Sequence, residues 1–333
     1  MSRIAVRRVL AILPALLVAV AGCGGSSPAA TSQPKAVKVA LILPCPTNDG
    51  SWCQQAYAAA QQLQKEGAID LSVTSNAPQD TLSVTQLIQR YASGGSQLII
   101  ADSSWQDAAF NAGATIPNTP VVYAGGGKVG GKVSTFEEPI YQPAYLAGMV
   151  AAGITKTAVI GGLAAFDFPL CHAQMAAFGL GAQSVNPSVH EVTTYIGDWN
   201  DVAKGKNAAL AQADQKADVF VVCGGGPASG MISALQERNL SGFGYVGNQN
   251  SQAPNNMVGS LVYNLYPIFK AIVKDVANGT YTGKDYDLGL SSFDFVLNPS
   301  YSVSAIPPDL LTKVKTQQAA ILSGTFQVPY VAK

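Results

Sequence analysis

The order of short apolar runs and helical stretches along the chain is the strongest constraint on its fold. Apolar runs at 37–43, 97–101 and 219–223 have the length and composition of strands that are buried on both faces of a sheet. Between them lie longer stretches of helical composition, such as 82–93 and 170–185. Strands that alternate with helices in this way form parallel sheets covered by helices on both faces. Because this pattern occurs in both halves of the chain, we predict an α/β protein with two doubly wound parallel-sheet lobes.

The small share of charged side chains, 12% of 333 residues, first raises the possibility of a membrane protein. The one long apolar run, 9–21, is shorter than the roughly 20 residues that a spanning helix needs. An integral membrane bundle is therefore excluded, and the apolar content of 48% excludes a disordered chain. The formal net charge of zero argues against nucleic acid as a partner, since phosphate binding needs a surplus of basic residues.

The first 22 residues are typical of a signal peptide. Arg3, Arg7 and Arg8 form a positive region, and the apolar stretch 9–20 follows it. Removal of this segment, residues 1–22, leaves the mature chain with a net charge of about −3. The protein is therefore predicted to be exported.

The end of this segment, Val20-Ala21-Gly22-Cys23, resembles a bacterial lipobox, which implies cleavage before Cys23 and diacylation of that cysteine. The alternative is a plain signal peptide followed by an incidental cysteine. Residues 23–36, rich in Gly, Ser, Ala, Pro and Thr, indicate a flexible tether. Two acyl chains form a stable anchor, so we expect a lipid-anchored protein of the cell envelope that faces the extracytoplasmic side.

Four further cysteines suit an oxidising compartment: Cys45, Cys53, Cys171 and Cys223. Four cysteines allow three pairings. We predict Cys45–Cys53 and Cys171–Cys223, because each pair then stays within one predicted lobe. A metal site is the weaker alternative, since no C-x-x-C or comparable ligand spacing is present.

The loops that follow the predicted strands combine aromatic residues with short polar residues. Ligands of open α/β sheets bind outside the carboxyl ends of the strands. Aromatic rings beside Asn, Asp or Ser suit a flat ligand, which the rings stack on while the polar groups bind its edge. The alternative is that each Trp fills a lobe core or the seam between the lobes. The candidate ligand-binding residues are Asn48, Asp49, Trp52, Asp102, Trp105, Phe166, Phe168, Trp199, Gly225 and Gln249.

Several collinear segments carry a family resemblance. They are the apolar run 39–43 followed by Asn-Asp-Gly-Ser-Trp at 48–52, Tyr-Leu-Ala-Gly at 145–148, the stretch 178–187, and the segments 199–204 and 217–219. Together they resemble the basic membrane protein (BMP) family, the lipoprotein substrate-binding components of ABC transporters. The resemblance spans about residues 38–322. It implies the type I periplasmic binding protein fold, in which three crossovers join two α/β lobes.

The resemblance also implies a ligand, because several members of the BMP family bind purine nucleosides or related molecules between aromatic rings. Asn48 and Asp49 match the loop that reads the nucleobase in those members. Trp52 stands at the position of a stacking Phe. The predicted Cys45–Cys53 disulfide flanks this loop and would preorganise it.

Three further loops match the family near its ligand. Trp105 lies in the loop that matches the second ligand loop. Phe166 or Phe168 occupies the loop before the predicted helix 170–185 of the second lobe, and Trp199 matches a family Trp near the cleft. The resemblance therefore implies aromatic contacts from both lobes.

One segment departs from the nucleoside-binding pattern. Nucleoside binders often carry Gly-Val-Asp-x-Asp-Gln at the hinge, where the first Asp holds the ribose hydroxyls, but Gln249 and Ser251 replace both Asp here. A free base, a different heterocycle or a neutral polar ligand is therefore a more suitable ligand than a nucleoside.

The predicted domain organisation follows from the two halves and the family's crossovers. Lobe 1 comprises 37–135 and 253–280, lobe 2 comprises 136–248 and 288–333, and the hinge crossings lie near 134–139, 248–252 and 279–287.

The resulting hypothesis is a monomeric, membrane-tethered solute-binding protein of an ABC importer. It would capture a small flat polar ligand by hinge closure and deliver it to a permease and its ATPase, with no cofactor and no metal. A ligand sensor of the same fold, which signals to a membrane partner, is the alternative, and an exported enzyme is a weaker one. A permease and an ATPase encoded beside the chain would favour transport.

Overall fold

The computed structural model describes residues 36–301 and 306–332. The predicted signal peptide, the predicted lipidation site Cys23 and nearly all of the predicted tether lie outside the described residues.

Strands of this part of the chain are numbered in chain order. Their bounds are β1 (Val37–Ile42), β2 (Ile69–Thr74), β3 (Leu98–Ala101), β4 (Val121–Ala124), β5 (Val133–Phe136), β6 (Val159–Ala164), β7 (His190–Tyr195), β8 (Val219–Cys223), β9 (Ser241–Val246), β10 (Met257–Tyr263), β11 (Asp285–Tyr286) and β12 (Phe293–Leu297).

Helices are numbered in the same way. Their bounds are α1 (Trp52–Lys65), α2 (Thr81–Ser93), α3 (Gln106–Gly113), α4 (Tyr141–Ile154), α5 (Pro169–Val185), α6 (Val202–Asp214), α7 (Gly225–Arg238), α8 (Tyr266–Ala277) and α9 (Pro308–Leu322).

The strands form two six-stranded sheets. The first has the order β11–β5–β4–β3–β1–β2, and all of its neighbouring strands are parallel. The second has the order β12–β10–β9–β8–β6–β7, and its strands are parallel except for the pair β10–β12. In each sheet the strand order reverses beside the first strand, which is the doubly wound pattern. The alternation of strands and helices therefore predicted the architecture, but not the antiparallel strand β12.

Burial explains why the central strands have continuous apolar sequences. Every residue of β3 and β8 is buried, because helices cover both faces of these strands. The edge strands β2 and β7 carry polar and half-exposed residues instead. The predicted runs at 97–101 and 219–223 are thus the centres of the two sheets.

Local capping fixes where two of the helices begin. The Asp80 carboxylate accepts the backbone N–H of Ser83 at the start of α2, and the Asp201 carboxylate accepts that of Lys204 at the start of α6. Helices α4 and α5 approach closely: a Cβ at Gly148 would lie 2.0 Å from the carbonyl oxygen of Phe178. Only glycine permits that contact.

The course of the chain between the sheets corrects two predicted boundaries. Strand β10 lies in the segment 253–280, which the sequence analysis assigned to lobe 1, yet it pairs with β9 and β12 in the second sheet. The following helix α8 does pack against α1 of the first lobe. The chain therefore crosses back between Tyr263 and Tyr266, not at 248–252, which connects two strands of one sheet.

The other two crossings lie close to the predicted ones. The chain leaves β5 of the first sheet after Phe136 and enters α4, which packs on the second lobe, at Tyr141. It leaves β11 after Tyr286 and enters β12 of the second sheet at Phe293, so this crossing begins where the predicted segment 279–287 ends. The error at β10 arises because an apolar strand carries no local signal of the sheet that it joins.

Candidate functional site

Both predicted disulfides are present. Cys45 is bonded to Cys53, and Cys171 is bonded to Cys223. The first closes the loop that leads from β1 into α1, and the second joins the first turn of α5 to the end of β8. Each therefore braces a loop at the carboxyl end of a sheet, where ligands of this architecture bind.

The loop between Cys45 and Cys53 is held by Asp49. Its carboxylate accepts the backbone N–H groups of Ser51, Cys53 and Gln54 at 2.9, 3.1 and 3.0 Å, and so caps α1. Asn48 beside it is exposed. The structure thus shows a structural role for Asp49, whereas ligand contact by Asn48 and Asp49 stays a prediction.

Trp52 lies at the seam between the two lobes. Its indole N–H donates to the backbone carbonyl of Asp102 at 3.2 Å, in the first lobe. Its ring lies 5.4 Å from the ring of Tyr263, the last residue of β10 in the second sheet. A Cβ at Gly247 would lie 2.1 Å from the carbonyl oxygen of Gly50, so the loops of the two lobes also meet beside Trp52.

Two buried acids lie near this seam. Asp102, directly after β3, is 0% exposed, and neither of its carboxyl oxygens has a hydrogen-bond partner among the described residues. Glu138, in the first crossing, is 8% exposed. Burial raises the pKa of Asp102 well above its ordinary range, and the charge of Asp49 adds to this effect. The nearby Trp52 indole opposes it, although its N–H is bonded to the Asp102 backbone carbonyl and not to the carboxyl group. Burial likewise raises the pKa of Glu138, and the charges of Asp102 and Glu137 add to it.

Trp105 belongs to the core. It is 7% exposed and lies in the apolar cluster that includes Ile42, Val84, Ile88 and Tyr123. The structure therefore gives Trp105 a packing role in the first lobe, and its contact with a ligand stays a prediction.

An aromatic cluster marks the second lobe, formed by Phe166, Phe168 and Trp199 in the loops after β6 and β7. The rings of Phe166 and Phe168 are stacked at 5.3 Å, and Trp199 lies 5.6 Å from Phe166 and 6.3 Å from Phe168. Phe168 is 53% exposed. Exposed aromatic surface of this kind at the carboxyl edge of a sheet is available to a ligand.

Polar groups beside this cluster hold the start of α5. The Asp167 carboxylate lies 2.8 Å from Nδ1 of His172, and the Tyr195 hydroxyl lies 3.3 Å from the same nitrogen. Burial, reinforced by the charge of Asp167, raises the pKa of Tyr195 to about 12. The hydroxyl therefore stays protonated at neutral pH.

Gly225 and Gln249 differ in their surroundings. Gly225 begins α7, and no heavy atom lies within 4 Å of the position where its Cβ would stand. Gln249 is buried, its Oε1 accepts the Tyr245 N–H at 3.0 Å, and its backbone N–H donates to the Ser260 hydroxyl. Gly225 thus has open space beside it at the start of a helix. Gln249 instead forms hydrogen bonds with other residues of the second lobe.

Tyr263 and Glu138 lie at the seam between the lobes but are absent from the residues predicted from the sequence. Tyr263 ends a strand, so the rule that placed the other candidates at strand ends could have identified it. The pair Glu137-Glu138 stands out in a chain with 12% charged residues.

The described residues contain one group with the chemistry of metal ligands, Cys45, Asp49 and Cys53. The two sulfur atoms are bonded to each other, so neither is available as a thiolate. No helix in the described part of the chain is long and apolar enough to cross a membrane.

Comparison with known proteins gives consistent matches. A family model described as ABC transporter substrate-binding protein PnrA-like matches residues 36–304. A purine-binding protein of Brucella abortus is 24% identical over 291 residues, which cover 86% of this chain and 81% of that protein. Basic membrane protein A of Borreliella afzelii is 23% identical, with 92% of this chain and 95% of that protein covered.

A solved structure gives the same result for the fold. The structure of an ABC transporter solute-binding protein from Conexibacter woesei has a TM-score of 0.74 at 22% identity, and covers 90% of this chain and 100% of its own. This likeness confirms the predicted fold class, two α/β lobes of the type I periplasmic binding protein architecture.

Proposed function

Since the chain belongs to the PnrA-like family of ABC transporter substrate-binding proteins, we propose that it captures a small flat polar ligand, a purine base or a similar molecule, by closure of its two lobes. Membership of this family, which confirms the predicted BMP resemblance, makes the chain a binding component and not an enzyme. Its partners are accordingly a small-molecule ligand and the permease and ATPase of a transporter.

The observation that carries the proposal is the presence of aromatic rings at the carboxyl edge of both lobes. Trp52 lies at the edge of the first lobe, and the cluster of Phe166, Phe168 and Trp199 lies at the edge of the second. Rings on both sides of a closing cleft stack on both faces of a flat ligand. Hinge closure is the motion that two lobes joined by three crossings allow, and a ligand that contacts both lobes favours the closed state.

Two observations support a purine base as the ligand. The Brucella relative is named a purine-binding protein. Gln249 stands where a nucleoside binder has a carboxylate for the ribose, and the Gln249 amide oxygen is already bonded to the Tyr245 N–H. The segment therefore lacks a free carboxylate for ribose hydroxyls. A base without its sugar has no ribose hydroxyls, so Gln249 in place of Asp costs it no hydrogen bond.

We further propose that the protein is tethered to the extracytoplasmic face of the membrane through a diacylated Cys23, on the evidence of the lipobox-like sequence. Replacement Cys23→Ser should move the protein from the membrane fraction to the soluble fraction, while Ser26→Ala, three residues later, should not. Membrane retention of the Cys23→Ser protein would exclude this anchor.

The ligand can be identified by mass spectrometry of the small molecules released when the purified full chain is gently denatured. In parallel, adenine, hypoxanthine and adenosine are tested for their effect on the melting temperature. A purine in the released fraction, or a higher melting temperature with a base than with its nucleoside, supports the proposal. The absence of both effects, with a sugar or an amino acid released instead, contradicts it.

A further inference from the structure

We infer that Asp102 and Glu138 form an acidic floor beneath Trp52 and Tyr263, and that this floor selects a ligand whose buried edge carries N–H donors and a positive charge. The inference rests on the proposed function, because it names the ligand chemistry of the same cleft.

The first argument is the lack of a partner for Asp102. Its carboxyl group is completely buried, and neither oxygen accepts a hydrogen bond from any described residue. Burial of a polar group without a hydrogen bond is costly, so buried carboxyl groups are normally paired within the protein. A carboxyl that the chain leaves unpaired, beside a residue that contacts both lobes, is free to pair with a ligand.

The second argument is the sign of the surrounding charges. In addition to burial, the negative charge of Asp49 raises the pKa of Asp102, and the charges of Asp102 and Glu137 raise the pKa of Glu138. Burial and the charges of Glu138, Asp102, Glu137 and Asp287 also raise the pKa of the Tyr263 hydroxyl, and burial and Glu138 raise that of the Tyr245 hydroxyl. None of the ion pairs between described residues includes Asp102 or Glu138.

Asp102 and Glu138 therefore have no counter-charge among the described residues, and ionisation of both is unfavourable in the free protein. A cationic ligand supplies the missing counter-charge and the hydrogen bonds that Asp102 lacks. An anionic ligand would increase the repulsion. The floor therefore discriminates by charge as well as by shape.

The third argument is the pair of aromatic rings beside these acids, since Trp52 donates to the Asp102 carbonyl and Tyr263 donates to the carbonyl of Glu137, which precedes Glu138. The rings of Trp52 and Tyr263 lie 5.4 Å apart at an interplanar angle of 43°. Aromatic faces attract a cation that lies against them, and the attraction strengthens where water is excluded. Carboxylates beneath and aromatic faces beside a ligand are jointly suited to a planar cation such as an amidinium.

The inference is compatible with an aminopurine. Burial raises the pKa of Asp102 and so favours the protonated form of this carboxyl in the free protein. When an aminopurine binds, that proton moves to the ring nitrogen next to the amino group. The carboxylate then accepts two N–H bonds from a cationic edge, and no other proton or electron is required. Hypoxanthine has an oxygen in place of the amino group and cannot offer this pair of donors.

The test uses two isosteric probe pairs with the purified full chain at pH 7. Benzamidine is a planar cation rich in N–H donors, and benzamide is its neutral counterpart; adenine and hypoxanthine form the matched purine pair. Binding is measured by calorimetry for the wild type, Asp102→Asn, Glu138→Gln and the control Asp107→Asn, which alters an exposed acid on α3.

The wild type should bind benzamidine at least about tenfold more tightly than benzamide, and adenine more tightly than hypoxanthine. Asp102→Asn and Glu138→Gln should each reduce the benzamidine preference several-fold, and Asp107→Asn should not change it.

The outcomes separate this inference from the proposed function. Equal binding of benzamidine and benzamide, or a preference that survives both acid substitutions, overturns the acidic floor even if purines bind. Tight benzamidine binding that Asp102→Asn abolishes, together with no binding of either purine, supports the floor and rejects the purine assignment. If Asp102→Asn fails to fold, Glu138→Gln decides between the two results.

Discussion

The two edges of the cleft are built in opposite ways. On the first lobe, Trp52 is half-buried, its N–H is bonded to Asp102, and its ring contacts Tyr263 of the second sheet. On the second lobe, Phe168 is 53% exposed, and within the described part of the chain the ring contacts of Phe166, Phe168 and Trp199 are with one another. One edge is already assembled in this conformation, whereas the other keeps exposed aromatic surface.

This difference separates two tasks that an aromatic residue can perform at a cleft. A half-buried ring contributes to folding and binding together, because the contacts that hold it exist before the ligand arrives. An exposed ring contributes little to folding, and its apolar surface leaves water only when a ligand or the opposite lobe covers it. Substitutions at the two edges should therefore affect stability and affinity in different proportions.

The largest expected effect is on stability, from the disulfide beneath the second edge. Cys171–Cys223 joins residues 52 apart in sequence, and Cys45–Cys53 joins residues 8 apart. Chain-entropy arguments predict a loss of about 4 kcal/mol for Cys171→Ser with Cys223→Ser, and of about 2.5 kcal/mol for Cys45→Ser with Cys53→Ser. Urea denaturation of the two double variants measures the difference, and a greater loss for the Cys45–Cys53 pair would contradict the ranking.

The next effect compares one ring from each edge. Trp52→Ala should lower the free energy of unfolding by about 2 kcal/mol, less than for a fully buried Trp because the ring is half-buried, and should weaken ligand binding by at least ~1 kcal/mol. Phe168→Ala should weaken binding by about 1 kcal/mol and change stability by less than about 0.5 kcal/mol. Thermal unfolding and calorimetry with the identified ligand measure both quantities.

Trp105→Phe is the matched control for these two variants, since Trp105 packs in the core of the first lobe. It should reduce stability and leave affinity unchanged. Wild-type affinity in Trp52→Ala would remove Trp52 from the binding site, and a large loss of affinity in Trp105→Phe would show that the core assignment misses a function.

The sequence predicted the elements well, because their signals are local. The run 219–223 has the composition of a central strand whatever surrounds it, and the apolar face of 82–93 specifies a helix without reference to the rest of the chain. Strand β11 has two residues, too few for any pattern, and its pairing with β5 depends on residues about 150 positions earlier. The direction of β12 and the choice of sheet by β10 likewise depend on residues far away in the sequence.

The candidate site was predictable to a similar degree. The strand-end rule brought together Phe166, Phe168 and Trp199, since β6 and β7 are neighbours in one sheet. The same rule selected Trp105, whose side chain packs in the core of the first lobe. The sequence does not show which way a side chain points after a strand, because that direction depends on the surrounding packing. Glu138 was missed because it lies in the crossing that follows β5, where burial depends on how the two lobes pack.

The smallest effect is a pH dependence that differs between the lobes. Burial raises the pKa of Glu191, in β7, to about 8, although hydrogen bonds from Thr193 and the Gly179 backbone oppose it. Burial, a hydrogen bond with Asp285 and the charges of Asp285 and Asp287 raise the pKa of Glu137, after β5, to about 7. In the unfolded chain both carboxyls titrate near their ordinary value of roughly 4.3.

Between the unfolded and the folded pKa the native state holds a proton that the unfolded state has lost, so stability falls as the pH rises through that window. The window ends near pH 7 for Glu137 and near pH 8 for Glu191. From pH 7 to pH 8, Glu191 should therefore account for a loss of at most about 1 kcal/mol, and Glu137 for less. Urea denaturation at both pH values should show a clearly smaller decline in Glu191→Gln than in Glu137→Gln. A decline of wild-type size in Glu191→Gln would mean that other buried acids, Asp102 and Glu138 foremost, determine the pH dependence of folding.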